Sequence, residues 1–195
     1  MGKVILFPSQ GPQKFGFKPV KKRRQSAMEK RGQLNLFSGG KVVSLNKLSL
    51  FEEALLLDEQ GDKEAGQTYL KAIEQGDSVA DAYCNLGILE SESKNHSKAI
   101  DYFTRSLKED PRHCESHYNL ANVYAEIGDL PLAKIHYQLA IAIDPEFPNS
   151  YFNLGLTQAL NKEFREAIQS LHQYKKLVPH HEQLTADELI ASLST

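Results

Sequence analysis

The stretch Tyr83-Cys84-Asn85-Leu86-Gly87 recurs twice along the chain with the same pattern of residue types. Its copies are His117-Tyr118-Asn119-Leu120-Ala121 and Tyr151-Phe152-Asn153-Leu154-Gly155, so that the asparagines at 85, 119 and 153 are each 34 residues apart. A fixed period of this length is typical of a helix-turn-helix unit that buries its apolar face by stacking on a neighbouring unit. The sequence therefore predicts an all-α array of repeats whose function lies on a surface.

The second half of each unit keeps the same period. Small residues at Gly87, Ala121 and Gly155 predict a close approach between the two helices of a unit. A large residue of the second helix would fill the space between them, and it recurs as Tyr69, Phe103, Tyr137 and Leu171. The units end at Pro111, Pro145 and Pro179, where proline has no amide to continue a helix.

These positions resemble the tetratricopeptide repeat family over residues 46–181, as four units at 46–79, 80–113, 114–147 and 148–181. The resemblance implies a right-handed superhelical solenoid of antiparallel helical hairpins over residues 48–181. The first unit departs from the family pattern, as terminal repeats often do. Ser49 and Glu52 predict a capping box at the start of its first helix. Thr185 and Glu188 predict a second one, at the start of a capping helix in residues 182–195.

Residues 1–47 differ in composition from the rest of the chain. They hold eleven basic residues and one acidic residue, a net charge of +10, whereas residues 48–195 hold 12 basic and 24 acidic residues, a net charge of −12. Frequent glycine and proline and the lack of a sustained helical period predict a basic, largely disordered arm. The charge asymmetry indicates either a polyanionic partner for the arm or a contact between the arm and the acidic body.

The arm contains two candidate binding segments. Gln33-Leu34-Asn35-Leu36-Phe37 resembles the pentapeptide by which many bacterial replication and repair proteins bind the sliding clamp, with Gln33, Leu34, Leu36 and Phe37 as the matching residues. The basic run of Lys18, Lys21, Lys22, Arg23 and Arg24 could neutralise phosphates without reading a sequence. Together they support an alternative function, in which the chain is a nucleic-acid-associated accessory factor whose arm binds nucleic acid or a sliding clamp while the repeats recruit proteins.

The family resemblance implies that the first helices of the units line a concave groove. An asparagine amide offers donors and an acceptor, so a row of asparagines can pair with the backbone of an extended peptide. Acidic and apolar residues nearby favour a peptide with basic and hydrophobic side chains. The residues expected to line the peptide-binding groove are Asn85, Asn119, Asn122, Asn153, Tyr118, Phe152, Ile88, Leu156, Glu92 and Glu126.

The main functional prediction is a noncatalytic adaptor that binds an extended segment of a protein partner in this groove. The arm has the composition of such a ligand, and a hypothesis follows that it occupies the groove when no partner is bound. Salt dependence distinguishes the adaptor from the nucleic-acid alternative, because phosphate neutralisation weakens steeply as salt rises. The sequence leaves the oligomeric state open.

Enzyme and metal sites are not indicated. His113 and His117 lie one helical turn apart, but their sequence lacks the metallopeptidase pattern H-E-x-x-H. Glycine-rich phosphate loops and nucleophile elbows are absent from the sequence. Two cysteines without metal-ligand spacing fit a reducing compartment, and no segment is apolar over the length needed to cross a membrane. We expect a cytoplasmic protein without a cofactor or metal.

Overall fold

The computed structural model describes residues 48–194 of the chain. Over this range the chain forms nine α-helices and one short 3-10 turn, with no strand. None of the helices within these residues is long and apolar enough to cross a lipid bilayer. The helices are α1 (Leu50–Glu59), α2 (Ala65–Glu74), α3 (Val79–Glu92), α4 (His96–Glu109), α5 (Cys114–Glu126), α6 (Leu130–Ile143), α7 (Pro148–Leu160), α8 (Phe164–Leu177) and α9 (Leu184–Ser194).

The first eight helices pack as four hairpins, α1 with α2, α3 with α4, α5 with α6 and α7 with α8. Each hairpin joins the next because its second helix packs on the following first helix, and the first helices α3, α5 and α7 also touch one another in turn. Helix α9 packs on α8 and buries Ala186, Leu189 and Leu193. The predicted all-α repeat array is confirmed.

Glycine at the middle of a first helix lets the two helices of a hairpin approach closely. A Cβ atom added at Gly87 would lie 2.6 Å from Cε1 of Phe103, and one added at Gly155 would lie 2.9 Å from Cγ of Leu171. The side chains of Phe103 and Leu171 are at most 1% exposed. The space that the glycines leave is therefore filled by the large second-helix residue, as the sequence predicts.

The capping predictions have different outcomes at the two ends of the array. At α1 the Glu52 amide donates to the Ser49 hydroxyl at 3.3 Å and the Ser49 amide donates to the Glu52 carboxylate at 2.9 Å, which confirms the capping box. At α9 the prediction is wrong, because the helix begins at Leu184 and Thr185 lies inside its first turn. Gln183 holds this end instead: its carbonyl accepts from the Asp187 amide at 3.0 Å, and its side-chain amide donates to a backbone carbonyl at the end of α8.

A left-handed residue closes three of the hairpins at the same repeat position. Lys94, Gly128 and Lys162 have φ values of 62°, 85° and 64°. The amide that follows each of them donates to a carbonyl five residues earlier at 2.8 Å, which satisfies a carbonyl that the helix end would otherwise leave unpaired. The turn between first and second helix is thus fixed by the backbone geometry, even where the left-handed residue is lysine.

Candidate functional site

The repeated asparagines form a polar row along the first helices. Asn85, Asn119 and Asn153 are at most 1% exposed. The side-chain amide of Asn119 donates to the Cys84 sulfur of the preceding first helix at 3.7 Å, and that of Asn153 donates to the Tyr118 hydroxyl at 3.1 Å. These bonds connect α5 to α3 and α7 to α5, so the polar row is continuous from one hairpin to the next.

Tyrosine hydroxyls are the main hydrogen-bond partners of these buried asparagine side chains. Tyr137 donates to Oδ1 of Asn122 at 2.6 Å, and the same oxygen accepts from the Asn153 side-chain amide at 3.1 Å. Asn85 donates to the Tyr69 hydroxyl at 3.1 Å. The side chains of Asn85, Asn119, Asn122 and Asn153 are therefore buried and hydrogen-bonded within the array. Ligand contact by these asparagines stays a prediction.

Burial also keeps the tyrosine hydroxyls protonated. Desolvation raises the pKa of Tyr118 to about 12, although hydrogen bonds from asparagine side chains partly offset it. Burial raises the pKa of Tyr69 and of Tyr137 further above the usual range. Each hydroxyl therefore remains a neutral group at physiological pH, able both to donate and to accept. A neutral hydrogen-bonding row of this kind does not itself attract charge.

The apolar residues assigned to the groove are also buried. Ile88 is 5% exposed, Tyr118 1%, Phe152 2% and Leu156 1%. Tyr118 packs edge-on against Phe147 with ring centroids 4.8 Å apart, and Phe152 packs against Tyr174 at 5.0 Å. These side chains fill the space within and between the hairpins, and their contact with a ligand stays a prediction.

Acidic residues recur at both ends of the first helices. Asp58, Glu92 and Glu126 occupy the same position in three consecutive hairpins, near the C-terminal ends of α1, α3 and α5. We name these three residues the acidic row. Asp81 and Glu115 share a second position, near the N-terminal ends of α3 and α5. Asp58 was not among the residues predicted to line the groove, but the 34-residue period identifies it as the equivalent of Glu92.

Two members of the acidic row, Asp58 and Glu92, interact electrostatically. Burial raises the pKa of Glu92, and the charge of Asp58 raises it further. Burial also raises the pKa of Asp58, opposed by the hydrogen bond that its carboxylate accepts from the Tyr69 hydroxyl at 3.1 Å. The third member, Glu126, has a cationic neighbour, because its Oε2 lies 3.7 Å from Lys94 Nζ. The repulsion between Asp58 and Glu92 means that a cation near them would be favoured.

The two histidines with metal-like spacing have separate structural roles. His113 caps α5: its Nδ1 accepts from the Ser116 amide at 3.1 Å, and its Nε2 is 2.8 Å from the Asp81 carboxylate. His117 pairs with His136 of α6 through their Nδ1 atoms, 3.0 Å apart. Within residues 48–194 no group of three potential metal ligands is found.

The binding segments of the arm lie outside the described residues. This applies to Gln33, Leu34, Leu36 and Phe37 of the clamp-like pentapeptide and to the basic run from Lys18 to Arg24. Their functions stay predictions from the sequence.

Solved structures support the repeat fold. A crystal structure of MamA aligns with 76% of this chain and 94% of its own, with a TM-score of 0.60 and 17% identity. The first tetratricopeptide repeat domain of Spaghetti (RPAP3), bound to the HSP90 peptide SRMEEVD, aligns with 59% of this chain and 90% of its own, with a TM-score of 0.56 and 20% identity. At these identities the likeness concerns the fold alone.

Curated relatives share only part of their length with this chain. The human protein O-mannosyl-transferase TMTC3 is 34% identical over 117 residues, which is 58% of this chain and 13% of that protein. Hsp70-Hsp90 organizing protein 3 of Arabidopsis thaliana is 23% identical over 90 residues, 46% of this chain and 16% of that protein. The chain thus spans a small fraction of these relatives.

Family models match the array itself. Models described as tetratricopeptide repeat match residues 80–113 and 102–134, and one described as TPR repeat matches residues 122–162. These matches fall on α3 to α7, where the spacing of the small and large packing residues is most regular. The four packed hairpins, the 34-residue period and the family matches together show that this chain belongs to the tetratricopeptide repeat family.

Proposed function

We propose that this chain is an adaptor that binds an extended, basic and partly apolar segment of another protein along the face shared by its first helices. Tetratricopeptide repeats are typically noncatalytic, and family matches and relatives support a role in protein interaction. The observation that carries the finer proposal is the acidic row, which repeats a carboxylate at one position of three successive first helices.

The spacing of the acidic row suits an extended ligand better than a compact one. Successive first helices of such an array lie about 8–10 Å apart, and an extended chain advances about 3.3 Å per residue. Basic residues about three positions apart in a peptide would therefore meet Asp58, Glu92 and Glu126 in turn. The asparagine row beside them adds backbone hydrogen bonding if its amides exchange tyrosine hydroxyls for peptide groups.

Charge also distinguishes this chain from the solved relative bound to the peptide SRMEEVD. That peptide has two glutamates and ends in aspartate, whereas the first helices α1, α3 and α5 here carry carboxylates at both ends. Like charges oppose binding across an interface. The proposed ligand of this chain is therefore of opposite charge, and SRMEEVD serves as a negative control.

Selection from a displayed library of random decapeptides tests the proposal. We expect the chain to select peptides rich in Lys, Arg and large apolar residues. The double variant Glu92→Lys, Glu126→Lys should bind a selected peptide roughly tenfold more weakly, because each exposed charge pair contributes about 0.2–1 kcal/mol and its reversal adds repulsion. Fluorescence anisotropy measures the affinity.

The control variant is Glu109→Lys, Glu166→Lys. Both residues are exposed on second helices, and the pair changes the net charge by the same amount. It should bind the selected peptide within about twofold of the unmodified chain, since long-range charge effects are largely screened at physiological salt. Selection of acidic peptides, failure to select any peptide, or an equal loss in the control would overturn the proposal.

The arm provides a separate prediction. If residues 1–47 occupy the same face, a chain beginning at residue 48 should bind the selected peptide roughly tenfold more tightly, because a tethered competitor acts at an effective concentration of about 1 mM. Adding the arm as a separate peptide should restore the competition. Unchanged affinity in the shortened chain would rule out the contact between arm and groove while leaving the peptide-binding proposal intact.

A further inference from the structure

An apolar stripe runs along the outside of α6. Leu132 is 36% exposed, Ile135 48% and Leu139 41%, and Ala142 is exposed beyond them. Their successive spacings of three, four and three residues place all four on one side of the helix, in the pattern by which one helix packs on another in a coiled coil. Single exposed apolar residues are ordinary, but a continuous seam of them is a candidate contact surface.

The other second helices are polar at the same repeat positions. All the equivalent residues are exposed: Lys98, Asp101, Arg105 and Lys108 in α4, and Glu166, Gln169, Gln173 and Lys176 in α8. In the first hairpin the four positions hold Glu64, Gln67, Lys71 and Glu74, also exposed. This position therefore faces solvent throughout the array, and folding does not require α6 to be apolar there.

We propose that the α6 stripe is a docking site for an amphipathic helix of a partner protein with acidic residues beside its apolar seam. The site is separate from the face of the first helices and does not depend on the peptide-binding proposal. The partner helix would place its apolar residues between Leu132, Ile135 and Leu139, and its acidic residues towards the outer surfaces of α4 and α8.

Charge at the flanks selects this occupant. Residues 34 apart lie at equivalent heights on successive second helices, so Lys108 of α4 and Lys176 of α8 flank the C-terminal half of the stripe. Both lysines are exposed. A partner with carboxylates beside its apolar seam meets complementary charge at this end, as recognition surfaces commonly do.

A second copy of the chain fits the stripe less well. With the two α6 helices parallel, it would bring its own Lys108 and Lys176 against the same lysines, and like charges oppose that contact. The area is also insufficient, because a stable interface buries about 800 Å² on each partner and three side chains exposed by less than half supply roughly a third of that. A helix that lies along the stripe and reaches both flanks covers more of the available surface.

The probe is a monomeric three-heptad helical peptide with leucine at the two apolar positions of each heptad and glutamate at the flanking positions. We expect it to bind the full chain, with backbone amide chemical-shift changes concentrated in α6. A matched peptide with lysine in place of glutamate should bind roughly fivefold more weakly. The variant Leu132→Lys, Ile135→Asp, Leu139→Arg copies the residues of α4 and should weaken binding at least tenfold.

Three readouts keep the test decisive. Circular dichroism and thermal melting should match between the variant and the unmodified chain, because the replaced side chains are exposed and α4 accommodates the same residues. A variant that retains binding, or shift changes centred on α5 and α7, would overturn the proposal. Sedimentation that shows a dimer of the unmodified chain, lost in the variant, would make a second copy the occupant and also overturn it.

Discussion

Gly87→Ala is expected to lower the free energy of unfolding by about 2 kcal/mol. Alanine normally stabilises a helix interior relative to glycine, by about 0.5–1 kcal/mol. Here the added methyl group would lie 2.6, 2.7 and 2.9 Å from three atoms of the Phe103 ring. The ring is fully buried and cannot swing into solvent, so either it or α4 must shift. Overpacking of this kind costs about 1–3 kcal/mol.

Gly66→Ala is the matched control for that substitution. Its added Cβ would have its nearest neighbours at 3.9 Å, an ordinary contact distance. We therefore expect no loss of stability at residue 66, and a small gain from helix propensity. Urea denaturation of both variants, followed by circular dichroism, measures the difference.

A second substitution separates a local clash from a general effect. Phe103→Leu shortens the side chain opposite Gly87, and leucine occupies the equivalent position 171 in the last hairpin. The double variant Gly87→Ala, Phe103→Leu should be more stable than the sum of its single effects predicts. Strict additivity, or a Gly87→Ala variant as stable as the unmodified chain, would contradict this account of the hairpin interface.

The fold was predictable because the residues that recur every 34 positions are the ones that pack the two helices of each hairpin together. Gly87 and Phe103 approach each other within one hairpin, and their equivalents in later units do the same, so the recurrence itself indicates a structural requirement. The left-handed turns at Lys94 and Lys162 were not predictable, since lysine carries no turn signal and only Gly128 marks the position.

The candidate site was predicted only in part. Periodicity places Asn119 and Asn153 on successive first helices, but it does not determine whether their amides face a ligand or a tyrosine hydroxyl. The tyrosines that accept or donate here occupy two repeat positions: Tyr69 and Tyr137 share one on the second helices, and Tyr118 lies at another on a first helix. Tyr118 has no tyrosine counterpart, since the equivalent residues are Cys84 and Phe152, so its part of the network leaves no periodic signal in the sequence.

Acid is expected to destabilise the fold through the pair His117 and His136. The Nε2 of His117 is 3.2 Å from the Pro111 carbonyl, which only accepts, so this nitrogen carries the proton. Its Nδ1 must then accept from Nδ1–H of His136 at 3.0 Å. Protonating His117 as well would bring two N–H groups face to face. The geometry therefore disfavours a charged His117.

Burial accounts for most of the resistance to protonation. Burial, together with the neighbouring His117, lowers the pKa of His136 to about 4. Burial likewise lowers the pKa of His117, where His113 adds to the effect and the Pro111 carbonyl and Asp110 oppose it. Tyr124 stacks on the other side of His136, with ring centroids 5.6 Å apart. It is uncharged at the pH values concerned.

The sign of the pH dependence follows from these pKa values. An unfolded histidine takes up a proton near pH 6.5, whereas His136 in the folded chain does so only near pH 4. The unfolded state therefore binds more protons between these values, and stability falls as the pH falls from 6.5 to 4. Because the His136 ring is only half-buried, solvent screening limits the expected loss to about 1–2 kcal/mol.

The chain itself supplies the variant that tests this pair. The equivalent residues of the preceding hairpin are Tyr83 and Tyr102, which stack with ring centroids 6.2 Å apart. His117→Tyr, His136→Tyr should reproduce that contact without a group that titrates between pH 4 and 6.5. The difference in melting temperature between pH 7 and pH 5 should shrink relative to the unmodified chain, while exposed His172→Tyr leaves it unchanged. An equal pH dependence in the double variant would assign the acid sensitivity to carboxylates elsewhere, because only the pair's own titration is removed.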